Sequence, residues 1–171
     1  MTIVIAFLVA FLATFFTTPL VIRLAKKYGL VDNPKVRYHP AHTHTGIINR
    51  AGGHAVYLGI ILAIAVVLPV TKAILGIASG ATILILVGLA DDKKDVNPYV
   101  RLLTNALATL AAIGAGIGIP FITNPVTGGV LHFDTFRISF DLFGPRSILV
   151  WSDLLAFVWI MWTINIVGWS A

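Results

Sequence analysis

The chain has 171 residues, 58% of them hydrophobic and only 11% charged, with a mean hydropathy of +0.94. That balance excludes an ordinary soluble globular domain and indicates a protein solvated by lipid. A net charge of +5 raises nucleic acid as a partner. The cations are juxtamembrane, however, and not interleaved with aromatics as a base-stacking surface requires, so no nucleic-acid partner is expected.

Crossing a hydrocarbon core of about 30 Å takes roughly 20 apolar residues. In chain order the candidate spans are about residues 2–22, 53–70, 73–90, 102–121 and 148–167. The first has no basic leader and no small-residue cleavage site, and it is too long for a signal-peptide core, so it reads as a retained span. Arg23, Lys26, Lys27, Lys35, Arg37 and Arg50 lie between the first two spans, and Lys93, Lys94 and Arg101 between the third and fourth, which places nine of twelve cations on one side. The positive-inside rule then puts both loops in the cytoplasm and the amino terminus outside. In the outer segment 122–146, glycines and prolines surround an alternating stretch, 130–142, which predicts a short hairpin. The expected fold class is all-α, a polytopic transmembrane helical bundle of about five spans forming a single membrane domain over 1–171. Zero cysteines exclude disulfide staples and thiol catalysis.

Asp91 and Asp92 follow the uncharged run 73–90 and precede Lys93 and Lys94. Negative charge is disfavoured at the carboxyl end of a helix, so something positive must compensate there. The two lysines could do so with the carboxylates in solvent. Alternatively, adjacent helical residues differ in direction by about 100°, so one carboxylate can face a cleft while its neighbour is held elsewhere, which suits one reactive and one supporting acid. The loop 23–50 carries six cations and His39, His42 and His44. Its His-x-x-His-x-His spacing can be drawn as a metal site. With no Cys or Glu to complete a zinc shell, phosphate contacts or topology are the better reading.

Three stretches resemble the polyprenyl-phosphate N-acetylhexosamine-1-phosphate transferases. Val31-Asp32-Asn33-Pro34-Lys35-Val36-Arg37-Tyr38-His39, followed by Asn49-Arg50-Ala51-Gly52-Gly53, is similar to the family's first cytoplasmic loop, V-D-x-P-x-x-R-x-H and then P-R-x-G-G. Gly88-Leu89-Ala90-Asp91-Asp92 resembles its G-x-x-D-D motif, and Thr163-Ile164-Asn165 onward resembles the start of its N-x-x-N-x-x-D-G segment. Asn49 stands where a proline is common, and Gly168 where the second asparagine usually is. The resemblance implies an amino-terminal half of a ten- or eleven-span protein.

It also implies a reaction: transfer of N-acetylhexosamine-1-phosphate from a UDP-sugar to an undecaprenyl-type phosphate, releasing UMP, with Mg²⁺ as cofactor. The implied partners are the polyprenyl phosphate lipid, a UDP-N-acetylhexosamine, the membrane and a second copy of the chain, with the active site at the cytoplasmic face of the plasma membrane. Asp91 and Asp92 are the expected catalytic residues, with Asp92 also supporting the metal. Arg37, His39, Arg50 and Asn165 are the expected substrate contacts. Both reactants are anionic, so relief of charge repulsion dominates the chemistry. Direct attack by the lipid phosphate is favoured over a covalent aspartyl intermediate, because a phosphate dianion is already a competent nucleophile. The alternative expectation is a truncated, non-catalytic membrane protein that binds polyprenyl phosphate; a transporter half is disfavoured because no span centre carries a charge.

Overall fold

The computed structural model describes residues 1–32, 46, 48–94, 96–141 and 145–170. They form five helices, α1 (Thr2–Tyr28), α2 (Gly52–Val67), α3 (Lys72–Lys94), α4 (Pro98–Gly114) and α5 (Val150–Ser170). Six short strands accompany them: β1 (Val31–Asp32), β2 (Ile48–Asn49), β3 (Phe121–Thr123), β4 (Val130–His132), β5 (Arg137–Asp141) and β6 (Pro145–Leu149). The helices α1 and α3, and residues Val150–Gly168 of α5, are long and apolar enough to cross a membrane, and α2 is a shorter apolar helix. The fold is a helical membrane bundle.

Two compact units make up the chain, one of residues 1–70 with 81–101, the other of 71–80 with 102–171. In the first, α1 runs six residues past its predicted end at 22, carrying Arg23, Lys26 and Lys27 on the same helix. Pro19 lies inside α1 and removes one backbone donor. Nearby, the Thr17 and Thr18 hydroxyls donate to Ala13 O and Thr14 O, each at 2.7 Å, so these polar side chains are satisfied within the helix itself. Gly29 ends α1 in the left-handed region at φ 73°, where a side chain would be strained, and Leu30 N–H donates back to Ala25 O at 2.8 Å.

Helix α2 packs on α1 through a glycine contact. A Cβ on Gly59 would lie 2.8 Å from Ala10 O and would also collide with Thr14 Oγ1. Between α2 and α3, Tyr57 Oη and Thr82 Oγ1 share a hydrogen bond of 2.7 Å. The antiparallel pair β1–β2, Val31 opposite Asn49 and Asp32 opposite Ile48, brings the ends of the cationic loop together at the base of α1.

The second unit differs from two expectations. The predicted fourth span, 102–121, begins earlier and stops earlier, because α4 starts at Pro98 and ends at Gly114. Gly116 takes φ 94°, and Gly118 and Pro120 follow, so the chain leaves the helix before Phe121 enters β3. The single hairpin predicted over 130–142 resolves into two ribbons. Val130–His132 pairs backward with Phe121–Thr123, and Arg137–Asp141 pairs forward with Pro145–Leu149. Alternation over 130–142 reported strand character correctly but carried no information on which strand pairs with which.

Substituting Gly59 by Ala should lower the thermal midpoint of the protein in detergent, since overpacking a close helix contact costs about 1–3 kcal/mol. Gly88→Ala is the matched control, because an added Cβ there meets nothing within 4 Å. Equal midpoints for the two variants would show that the α1–α2 contact does not depend on Gly59.

Candidate functional site

The aspartate pair lies within the last turn of α3, which continues to Lys94, and not beyond the helix end. Carboxylates at a helix C-terminus face the negative end of the macrodipole, a penalty of about 0.3–1 kcal/mol each at exposed sites. Two arginines, not the neighbouring lysines, provide the observed compensation. Arg50 Nε lies 3.5 Å from Asp92 Oδ1, and Arg101 Nη1 lies 3.5 Å from Asp91 Oδ2. Both aspartate side chains are 20% exposed. Partly solvated pairs of this kind are worth only about 0–1 kcal/mol, so they set the charge around the two adjacent carboxylates more than they stabilise the fold.

Local structure explains how Arg50 and Asp92, 42 positions apart in sequence, share one unit. Arg50 follows β2, and its N–H donates to Leu30 O at 3.1 Å. Ala51 beside it is buried with Ala25 and Leu30, and Val21 and Leu89 pack against this cluster. The apolar plug therefore ties the entrance of α2 to the end of α3. Arg101 arrives on the first turn of α4. Asp91 Oδ1 accepts Val96 N–H at 2.8 Å, and Asn97 Oδ1 accepts Tyr99 N–H at 2.9 Å as the N-cap of α4, with Pro98 in the first helical position. The first turn of α4 thus returns a cation to the end of α3.

His54 also belongs to this neighbourhood. It stands in the first turn of α2, just after Arg50 and Ala51. Its Nδ1 lies 3.1 Å from Ala51 O, and its buried Nε2 has no hydrogen-bond partner among the described residues. Because a carbonyl can only accept, Nδ1 carries the proton, and in the neutral ring Nε2 is a bare acceptor.

Of the residues singled out in the sequence, the structure brings Asp91, Asp92 and Arg50 together. Arg37 and His39, along with His42 and His44, lie outside the described residues. Asn165 is in the other unit with partners of its own: its Nδ2 donates to Met161 O at 2.7 Å, and its Oδ1 accepts from Asn105 Nδ2 at 3.3 Å. Arg101 and His54 are additions that sequence reasoning passed over, one counted only toward topology and the other absorbed into a span. A signal for each was present. Asn97-Pro98 marks a helix start that turns the chain back, and His54 stands one helical turn after Arg50.

Two adjacent carboxylates, with no cluster of three or more His, Cys, Asp or Glu among the described residues, do not make a zinc site. They do fit Mg²⁺, which is usually bound through one or two carboxylates while substrate phosphates and water fill the remaining positions.

Residues 74–169 match the model of a family described as glycosyl transferase family 4. The chain belongs to that family. The matched region of this family 4 chain includes Asp91, Asp92, Arg101 and Asn165, whereas Arg50 and His54 precede it. Its relatives include the probable undecaprenyl-phosphate N-acetylglucosaminyl 1-phosphate transferase of Bacillus subtilis, 32% identical over 124 residues, or 72% of this chain and 34% of the relative. The undecaprenyl-phosphate alpha-N-acetylglucosaminyl 1-phosphate transferase of Escherichia coli K12 is 33% identical over 100 residues, 57% of this chain and 23% of that protein. The chain therefore spans about a third or less of the length of these relatives. No solved structure gives a significant match.

If Asn105 and Asn165 form a clamp between α4 and α5, a double-mutant cycle of Asn105→Ala and Asn165→Ala should return a coupling near 0.6 kcal/mol, as for interhelical hydrogen bonds in membranes. Reversible unfolding in detergent measures it. Strictly additive effects would show that the pairing contributes nothing and leave Asn165 available for another role.

Proposed function

We propose that this family 4 chain carries part of the active site of a transferase that moves N-acetylhexosamine-1-phosphate from a UDP-sugar to a polyprenyl phosphate at the cytoplasmic face of the plasma membrane. The observation that carries the reading is the aspartate pair in the last turn of an apolar helix, each carboxylate matched to an arginine from a different element. The names of the B. subtilis and E. coli relatives support the same chemistry.

Two phosphate-bearing substrates repel each other, so the site must supply positive charge where they meet. Arg50 and Arg101 each stand 3.5 Å from an aspartate oxygen, from where a guanidinium can also reach a phosphate oxygen. An oxygen of the lipid phosphate bonds to the β-phosphorus, the bond from that phosphorus to the oxygen bridging to the α-phosphate breaks, and UMP leaves. A lipid phosphate still carrying its second proton, whose pKa is about 6 for phosphomonoesters, can lose it to an aspartate. Asp92, with Asp91 beside it, would hold Mg²⁺, which supplies neutralisation of the diphosphate charge. Phosphoryl transfer otherwise depends on positioning and electrostatics, and the carboxylates and arginines provide both.

The test is UMP release from UDP-N-acetylglucosamine with a polyprenyl phosphate acceptor, in membranes containing the chain together with whatever its reading frame encodes beyond Ala171. Release should require Mg²⁺ and fall by at least about 100-fold, the usual scale for loss of an acid–base group, in Asp91→Asn and in Asp92→Asn. Arg50→Ala should lower turnover comparably while leaving the helical circular dichroism unchanged. Retention of the lipid phosphate with no UMP released under any condition would overturn catalysis in favour of a binding role.

A further inference from the structure

A cavity of about 910 Å³ lies within the second unit, where α3 and α5 begin and α4 ends. Its size is that of a small-molecule site. Leu110 of α4 and Leu154 and Phe157 of α5 supply apolar wall, and Lys72, Ser147, Ser152 and Asp153 are the polar members. Leu110 and Leu154 are about half exposed, at 52% and 51%, so the apolar wall continues onto the surface that lipid covers. Lys72 opens α3, the helix whose last turn holds the aspartate pair, so the cavity stands at the other end of that helix. None of its lining residues takes part in the reaction proposed above.

Lys72 and Asp153 bring opposite charges to one cavity, yet neither forms an ion pair with the other or with another described residue. Unpaired opposite charges beside an apolar wall fit a ligand that carries both charges and a hydrocarbon chain. The acidic side of the cavity is built for an ammonium. Asp153 Oδ2 accepts Leu149 N–H at 3.1 Å, which leaves Oδ1 for another donor. Ser152 is fully buried, and its Oγ has no hydrogen-bond partner among the described residues. A Cβ on Gly118 would stand 2.6 Å from Ser152 Oγ and 3.0 Å from Asp153 Oδ1, so the two oxygens are neighbours and the glycine puts no side chain against them. A primary ammonium has three N–H donors and can serve both oxygens, whereas a quaternary ammonium has none. Lysine, a point charge, is a suitable partner for the phosphate of the same molecule. We infer that this cavity binds a zwitterionic phospholipid of the phosphoethanolamine class in the leaflet opposite the aspartate pair. Its ammonium lies on Asp153 Oδ1 and Ser152 Oγ, its phosphate on Lys72, and the start of an acyl chain along Leu110, Leu154 and Phe157. The inference does not depend on the transfer reaction.

The experiment places a photoreactive benzoylphenylalanine at Phe157, on the cavity wall, or at Trp162, farther along α5 and outside the lining residues. The protein is held in nanodiscs of equal parts phosphatidylethanolamine, phosphatidylcholine and phosphatidylglycerol, and the adducts are identified by mass spectrometry. Phosphatidylethanolamine should be enriched at least about three-fold over the other two at position 157, and position 162 should report the bulk composition. Asp153→Asn, which keeps an oxygen for Leu149 N–H, should abolish the enrichment. Lys72→Gln should lower the yield of every phospholipid adduct at 157 relative to 162. If either variant fails to fold, a headgroup series on the otherwise unaltered chain decides: enrichment should fall as the ammonium protons are replaced by one, two and three methyl groups. Water-soluble glycerophosphoethanolamine in excess should leave the adducts unchanged, since it lacks the acyl chain. Equal adduct composition at 157 and 162, enrichment of phosphatidylglycerol or phosphatidylcholine at 157, enrichment that survives Asp153→Asn, or displacement by glycerophosphoethanolamine would each overturn the inference.

Discussion

Two negative charges placed at the negative end of a helix dipole create an electrostatic requirement that the surrounding structure meets. Asp91 and Asp92 occupy the last turn of α3, next to carbonyls that lack intrahelical partners, and Arg50 and Arg101 approach from opposite directions in sequence. Much of the first unit can be understood as a means of delivering those arginines. The left-handed Gly29, the β1–β2 pair and the buried Ala25, Leu30 and Ala51 bring Arg50 in from one side. The Asp91 hydrogen bond to Val96 N–H and the Asn97 cap bring Arg101 in from the other.

The aspartate–arginine pairs contribute little to stability. Each ion pair is partly solvated and contributes at most about 1 kcal/mol, less than the cost of one badly filled helix contact. Stability comes instead from close helix packing, as at Gly59 against Ala10 and at Gly80, where a Cβ would stand 2.7 Å from Ala108 O. Lipid offers little hydrophobic force between helices, so such small-residue contacts supply dispersion energy that larger side chains would prevent.

Several features were legible along the chain because they depend on local pattern. Hydropathy summed over a window marks each apolar helix, and the Asp pair is conspicuous because it ends a charge-free run. Arg50 was legible through the resemblance of its loop. The stop of α4 at Gly114 was missed although Gly114, Gly116, Gly118 and Pro120 were in plain view. Residue apolarity outweighed backbone preference in setting that boundary, and lipid-solvated sequences make this error easy because turns can be as hydrophobic as spans.

Sequence alone determined that the protein lives in a membrane, where its apolar helices lie, and that paired carboxylates stand at the end of one of them, since each of these follows from composition or from neighbours within a few residues. Tertiary structure decided which cations answer those carboxylates, that His54 leaves one nitrogen without a partner among the described residues, and that the segment after α4 makes two ribbons in place of one. The reason is physical. Charge compensation, hydrogen-bond satisfaction and strand pairing depend on distances in space, and a few turns, at Gly29, Asn97 and Gly116, set those distances between residues that no sequence window holds together.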